Sequence, residues 1–401
     1  MKKKFNALLA TIVTIGVVLG LVGVVLVSQA KSESMARKIV VFKSGVLSEP
    51  AREALVKKFG GVKTKDLTLI DGKAVLLSPK AEAALARQAG VLRIDDDVVV
   101  EALVKEGSVK VKRASPQPVQ IIPWGIKQIK ADLVWPSYTA DPIRVGIIDT
   151  GISNTHPDLL ANVKGGVNTI YSWKNWNDDN GHGSHVAGIV GAIDNNIGVI
   201  GVGPKIDLYA IKVLDARGSG YLSDVIEGIQ WAIDNQMQVI NMSLGTTSNI
   251  QSFHDAVSAA KTAGIVVVAA AGNSGPGDNT VIYPAKYPET IAVSATDQNN
   301  VIASWSSRGP EVDLAAPGVS IYSTYKGTGY KTLSGTSMAA PHVAGSAALV
   351  LNTPVGAYDV NPTNGKWDPD EVQTKLQATA TNLGDAILYG YGLVNAYAAT
   401  R

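Results

Sequence analysis

Five short runs constrain this chain more than anything else in it: IRVGIID, DLYAIKVLD, VINMSLG, IVVVAAAG and TIAVSATD. They are dominated by Val, Ile and Ala and do not alternate apolar with polar residues. A strand wetted on one face alternates, whereas a continuous run is covered on both faces. Between these runs lie HVAGIVGAI, YLSDVIEGIQWAIDN and IQSFHDAVSAAKTAG, with the spacing of helices. Two-faced strands alternating with helices define an α/β fold, a doubly wound and mostly parallel sheet, over residues 119–401. No internal repeat is present. In such sheets ligands sit beyond the carboxyl ends of the strands, so the residues that close each run are the ones to inspect.

A smaller unit precedes the sheet. Over residues 38–103, KIVVFKS reads as a strand and EPAREALVKKFG as an amphipathic helix. LTLIDGKAVLLS reads as a hairpin turning at Asp71-Gly72, KAEAALARQAG as a second helix and VLRIDDDVVVEAL as a last strand. The order βαββαβ predicts a small α+β, ferredoxin-like domain. Residues 104–118 are charged and aperiodic, hence a linker. At the start, three lysines, an apolar stretch from Leu8 to Val27 and the small residues of SQA at 28–30 read as a secretory signal over residues 1–30. The stretch is nearly long enough to span a bilayer, so an uncleaved anchor is the other reading. The protein is expected to be secreted either way, free or membrane-anchored. A formal charge of +2 gives no reason to expect nucleic acid, and the lack of cysteine removes thiol nucleophiles, disulfides and Cys-based zinc sites.

Four residues stand where the fold places function. Asp149 closes IRVGIID. His182 opens a helix in NGHGSHVAG, with His185 three residues on. Asn273 follows VVVAAAG, and Ser337 sits in GTSMAAPHVAG. Each has a plain alternative. An Asp or Asn after a strand caps a turn. Ser337 ahead of Pro341 reads equally as a helix N-cap. Two histidines three apart want further ligands before they make a metal site, and HExxH is absent. Together, however, Asp, His and Ser with a separate amide donor are the parts of nucleophilic acyl transfer. The α/β-hydrolase order and G-x-S-x-G are not present.

DTGI, HGSHVAG, NMSLG, AAAGNSG, GTSMAAPHVAG and the closing YGYGLVNAYAATR make residues 119–401 resemble a subtilisin-type serine protease, and residues 38–103 resemble that family's inhibitory propeptide. The resemblance implies a zymogen: a secreted, monomeric serine endopeptidase acting on polypeptide substrates, with its own propeptide as intramolecular inhibitor. Ser337 would be the nucleophile, His182 the base and Asp149 its orienting carboxylate. Asn273 and the Ser337 N–H would form the oxyanion hole, with Thr336 a helper; His156, His185 and His342 would be structural. Substrate would lie between Gly218–Ser219–Gly220–Tyr221 and Ser243–Leu244–Gly245. The pocket for the side chain before the scissile bond (P1) would be lined by Ser243, Leu244, Gly245, Ala270, Ala271 and Gly272. Ile282 falls where relatives often carry Gly or Ser, which would make that pocket shallower, so within a broad, mainly apolar preference medium residues such as Leu or Ala should do better than in relatives with Gly. A structural Ca2+ ion is implied at Gln120, Asp158, Ile193, Asn195, Ile197 and Val199, and Asp359, Asn361, Asn364, Asp368 and Asp370 could hold a second ion. The propeptide would end near Leu103, with the mature N-terminus between Leu103 and Gln120. A non-catalytic peptide-binding relative and a membrane-tethered processing protease are the competing readings.

Overall fold

The computed structural model describes residues 34–105, 117–360 and 363–401. The apolar Leu8–Val27 stretch and most of the linker lie outside the described residues. From Met35 to Arg401 the chain forms one compact unit.

The small α+β element runs β1 (Ala36–Phe42), α1 (Glu49–Lys58), β2 (Val62–Leu67), β3 (Gly72–Leu77), α2 (Pro79–Leu85) and β4 (Val91–Asp96). Its sheet has the order β2-β3-β1-β4 with antiparallel pairs, as the ferredoxin-like reading expects. Alternation sorts its residues. Val40, Phe42, Val75 and Leu77 face a cluster with α1 and α2, while Ile39, Val41 and Ala74 face the large domain. One expectation needs correcting. The last predicted strand is two strands, because the chain leaves the sheet after Asp96 and re-enters pairing as β5 (Val99–Ala102) with the large domain.

The large domain continues with α3 (Trp124–Gln128), β6 (Arg144–Asp149), β7 (Val163–Asn168), α4 (His182–Gly191), β8 (Asp207–Lys212), β9 (Ser219–Tyr221) and α5 (Leu222–Asp234). Then come β10 (Val239–Met242), β11 (Leu244–Gly245), α6 (Gln251–Thr262), β12 (Val266–Ala270), β13 (Ile291–Thr296) and β14 (Leu314–Pro317). A hairpin of β15 (Ile321–Thr324) and β16 (Tyr330–Leu333) leads into α7 (Thr336–Leu351), and α8 (Pro369–Ala378) follows. Seven strands form one sheet in the order β14-β13-β12-β10-β6-β8-β7, every pair parallel. The order reverses between β6 and β10, the switch point where a crevice opens at the strands' carboxyl ends.

The two faces are filled differently. Val145, Ile147, Val268 and Val293 pack under α4 and α7. Both helices are apolar nearly all round and buried, as helices through a domain centre must be. Ile148, Ile211, Ile240, Met242 and Val267 face α5 and α6, and Ile39, Val41, Leu67 and Val100 of the small element join the same cluster. Two carboxylates from the small element cap those helices. Asp97 accepts from Ser223 N and Oγ at 2.8 and 2.9 Å, and Asp95 from Ser252 N and Oγ at 3.0 and 2.6 Å. Each puts a negative charge on the positive end of a helix.

Candidate active site

Asp149 ends β6 at the switch point and is fully buried. Its carbonyl accepts from Val213 N at 2.9 Å and Leu214 N at 3.2 Å, which anchors the strand end. His182 opens α4, and its Nδ1–H donates to Asp149 Oδ1 at 2.8 Å and Oδ2 at 2.9 Å. The approach is so close that a Cβ on Gly183 would collide with the carbonyl of Gly151, so glycine is required there. The turn before His182 is tied down by buried Asp178, which accepts from Asn180 N, Gly181 N and Ser184 N at 2.8–2.9 Å. Thr150 Oγ1 also donates to Asp178 at 2.9 Å and accepts from Gly183 N at 2.9 Å. Burial pushes the His182 pKa down, but the charge and hydrogen bond of Asp149 outweigh it and leave it above the ordinary imidazole value.

Ser337 is buried in the first turn of α7. It is not the N-cap: Gly335 holds that place, without a side-chain cap, and Pro341 falls beyond the first turn. Ser337 Oγ donates to the carbonyl of Ser243 at 2.9 Å, while His182 Nε2 has no hydrogen-bond partner among the described residues. The hydroxyl proton is thus given to the Ser243 carbonyl, and transfer to His182 requires it to leave that acceptor. Ser337 N–H belongs to the first-turn amides that have no intrahelical acceptor. Asn273 Oδ1 accepts from Thr336 N at 3.0 Å and Thr336 Oγ1 at 3.1 Å. Thr336 therefore orients the Asn273 amide, and its hydroxyl proton is committed there. That leaves Asn273 Nδ2 as the donor the amide can offer.

The other buried histidines are held by main-chain oxygens. His185 Nε2 meets the carbonyls of Ile321 and Lys331 at 3.0 Å, and burial pushes its pKa down to about 3. His156 meets Gly329 O and His342 meets Met338 O, each with burial lowering the pKa to about 4.

A strand of the chain itself fills the crevice. β5 runs antiparallel to β9 on one side and β11 on the other, pairing Glu101 with Ser219 and with Gly245. Ala102 N donates to Gly218 O at 2.9 Å, Leu103 N to Ser243 O at 3.2 Å and Lys105 N to Ser334 O at 2.8 Å. A Cβ on Gly335 would crowd the Leu103 carbonyl, so that carbonyl lies against the start of α7. Beneath, Ile282 fills the space between the glycines of the two walls. A Cβ on Gly245 would lie 2.6 Å from Ile282 Cδ1, and one on Gly272 would lie 3.1 Å from Cγ1. Ala270 and Ala271 are fully buried beside it.

The expected calcium ligands gather around the 193–199 loop, to which Gln120 and Asp158 are brought from elsewhere in the chain. Gln120 Nε2 reaches the carbonyls of Ile193 at 2.8 Å and Val199 at 3.4 Å, and Asn195 Oδ1 accepts from Ile197 N at 3.1 Å. Asp158 Oδ2 accepts from Val199 N at 2.9 Å, but Asp158 Oδ1 is buried without a partner. Burial pushes the Asp158 pKa up to about 7. A buried carboxylate oxygen without a partner fits a hard cation, but Gln120 turns its Nε2 rather than its oxygen to the two carbonyls and would have to flip its amide to serve as a ligand. Among the described residues no three His, Cys, Asp or Glu side chains are grouped so that they could hold a metal ion, so such an ion would rest mainly on neutral oxygens. The second expected set has these contacts in the structure. Asp359 accepts from Asn364 N and Gly365 N, Asp368 caps α8 and Asp370 pairs with Lys261. Asn361 lies outside the described residues.

Residues that sequence reading passed over include Asp178, Thr150 and Asn241. Asn241 carried a signal, a polar side chain inside an otherwise apolar strand. Asp178 carried none, because its partners meet it only in the folded turn.

The model of the subtilase family matches residues 141–392. Subtilisin E of Bacillus subtilis (strain 168) is 42% identical over 377 residues, which is 92% of either chain. Subtilisin DY of Bacillus licheniformis is 50% identical over 285 residues, 70% of this chain and all of its own length. Subtilisin Savinase of Lederbergia lenta is 47% identical over 283 residues, again 70% of this chain and all of that one.

Proposed function

The chain belongs to the subtilase family and is a serine endopeptidase, and from that premise we propose that it is an exported, self-processing precursor of a broadly acting protease. Ser337 attacks the scissile carbonyl. His182 takes the hydroxyl proton and returns it to the leaving amine, while Asp149 holds the imidazole in the required tautomer and stabilises its cation. Asn273 Nδ2 and Ser337 N–H receive the oxyanion, helped by the positive end of α7. Substrates bind as the middle strand of a three-stranded antiparallel arrangement, read mainly through main-chain hydrogen bonds, which tolerates many sequences.

The observation that carries the reading is the seat of residues 99–105. The main-chain bonds of Ala102, Leu103 and Lys105 set the Leu103 carbonyl at the start of α7, so Leu103–Val104 is the bond we assign to self-cleavage. After cleavage, residues 38–103 remain as inhibitor, held by the Asp95 and Asp97 caps and by ion pairs such as Lys65 with Asp224 at 3.0 Å. Leu103 as the residue before the cut agrees with a shallow pocket over Ile282. A Ca2+ ion held by Gln120, Asp158, Asn195 and the carbonyls of Ile193, Ile197 and Val199 would supply structural cross-linking of that turn, and no part of the chemistry.

Export rests on the lysines and apolar stretch at the N-terminus. Among the described residues no helix is long and apolar enough to cross a membrane. The test of the whole reading is fluorophosphonate labelling of the matured protein with peptide mapping, joined to a peptide-library cleavage profile. Labelling at Ser337 and an N-terminal fragment ending at Leu103 are expected. Absence of label at Ser337 in a protein that cleaves peptides would overturn it, and N-terminal sequencing of the exported form decides between free and tethered protein.

A further inference from the structure

Helix α7 carries a proline where a regular helix needs an amide. Pro341 stands four residues after Ser337 and inside the helix. A proline has no N–H, so the carbonyl of Ser337 has lost the partner that α-helical geometry would give it. That carbonyl is not left bare. Ser243 Oγ donates to it at 2.9 Å, and Asn241 Nδ2 donates to Ser243 Oγ at 2.9 Å. The Ser243 main-chain carbonyl accepts from Ser337 Oγ at 2.9 Å, closing a reciprocal pair between the two serines. Asn241, Ser243 and Ser337 are all fully buried. Water is therefore a poor substitute, and an unpaired carbonyl at this depth would be costly.

We propose that the side chains of Asn241 and Ser243 are positioning residues for the nucleophile. Resting on the reading of Ser337 as nucleophile, this goes beyond the contribution of Ser243 to the substrate rail, which is made by its backbone. The missing amide of Pro341 frees the Ser337 carbonyl to bond sideways to the end of β10 instead of along its own helix. The first turn of α7, with the Ser337 hydroxyl and N–H, is thereby fastened to the strand that carries substrate. Asn241 occupies the Ser243 hydroxyl oxygen as donor, so the hydroxyl proton is directed at Ser337.

The proposal predicts a rescue. Ser243→Ala keeps the backbone rail and removes only the fastening. It should lower kcat, and the second-order rate of fluorophosphonate labelling at Ser337, by about tenfold with KM within about twofold. Pro341→Ala restores an N–H four residues after Ser337. In the Ser243→Ala background it should recover most of that loss, since the helix then satisfies its own carbonyl; Pro341→Ala alone supplies the fourth corner of the cycle. Asn241→Ala should cost less than Ser243→Ala and nothing further once Ser243 is alanine. Ser243→Cys, of similar size with a weak donor, should fall between wild type and Ser243→Ala, and serves if the alanine variant does not fold. An unchanged labelling rate in Ser243→Ala, or losses that multiply when Pro341→Ala is added, would overturn the proposal. Wild-type labelling at Ser337, measured alongside, tests the nucleophile reading separately.

Discussion

Replacing Ile282 by glycine should change which peptide bond this protein prefers, by an amount the pocket geometry sets. Ile282 reaches the glycines of both walls: its side chain lies 2.6 Å from where a Cβ on Gly245 would stand and 3.1 Å from one on Gly272, beside which Ser307 Oγ lies at 2.8 Å. Its removal clears the depth that a ring needs and an isobutyl group does not. A Phe side chain carries about three more carbons than Leu, and burying them is worth roughly 0.8 kcal/mol each, about 2.4 kcal/mol in all. That is close to 50-fold in relative kcat/KM at full burial, and about sevenfold if the ring is half covered. The assay is the ratio of kcat/KM for two peptides that differ only in Phe or Leu before the cut. Wild type should favour Leu, and Ile282→Gly should raise the Phe-to-Leu ratio by about 7- to 50-fold, with Ile282→Ala intermediate. Ile282 is itself buried, so some stability will be lost; the ratio is internal to one enzyme and does not depend on the active fraction. An unchanged ratio, or a wild type that already prefers Phe, would refute the assignment of Ile282 to the pocket floor.

Ser337→Ala should lower kcat by about 10⁶, and Asn273→Ala by about 10²–10³; these are sizes known for subtilisin enzymes rather than ones worked from this geometry. The Ser337→Ala precursor should also stay uncut at Leu103–Val104 by intact mass. His182 acts as base only when neutral, so kcat/KM should rise with pH through its pKa. That limb should lie above the ordinary imidazole value because of Asp149, and in Asp149→Asn the residual activity should show it moved to lower pH. Asp95→Ala and Asp97→Ala in isolated residues 38–103 should each weaken inhibition of the mature enzyme by about 10- to 100-fold, as loss of a charged helix cap implies. A chelator should lower the melting temperature by about 5–10 °C, and Asp158→Ala should abolish that response; no shift with chelator in wild type would remove the calcium reading.

Much of this protein was legible before any fold was known. The apolar runs announced a sheet buried on both faces, because a strand's burial is written in its own residues. The motifs around Asp149, His182, Asn273 and Ser337 stood at strand ends and helix starts, and the small domain's βαββαβ order emerged from local periodicity alone. Tertiary structure decided what depends on partners far apart in the chain. It split the last predicted strand of the small domain in two, because residues 99–102 find their hydrogen-bond partners in β9 and β11. It moved Ser337 from cap to first turn, turned its hydroxyl to Ser243, and committed the Thr336 hydroxyl to Asn273. It also paired Asp370 with Lys261, a residue far from it in the sequence. The physical reason is range. Period and propensity act over a turn or a strand, whereas the acceptor a buried hydroxyl finds is set by whichever chain segment packing brings within about 3 Å of it.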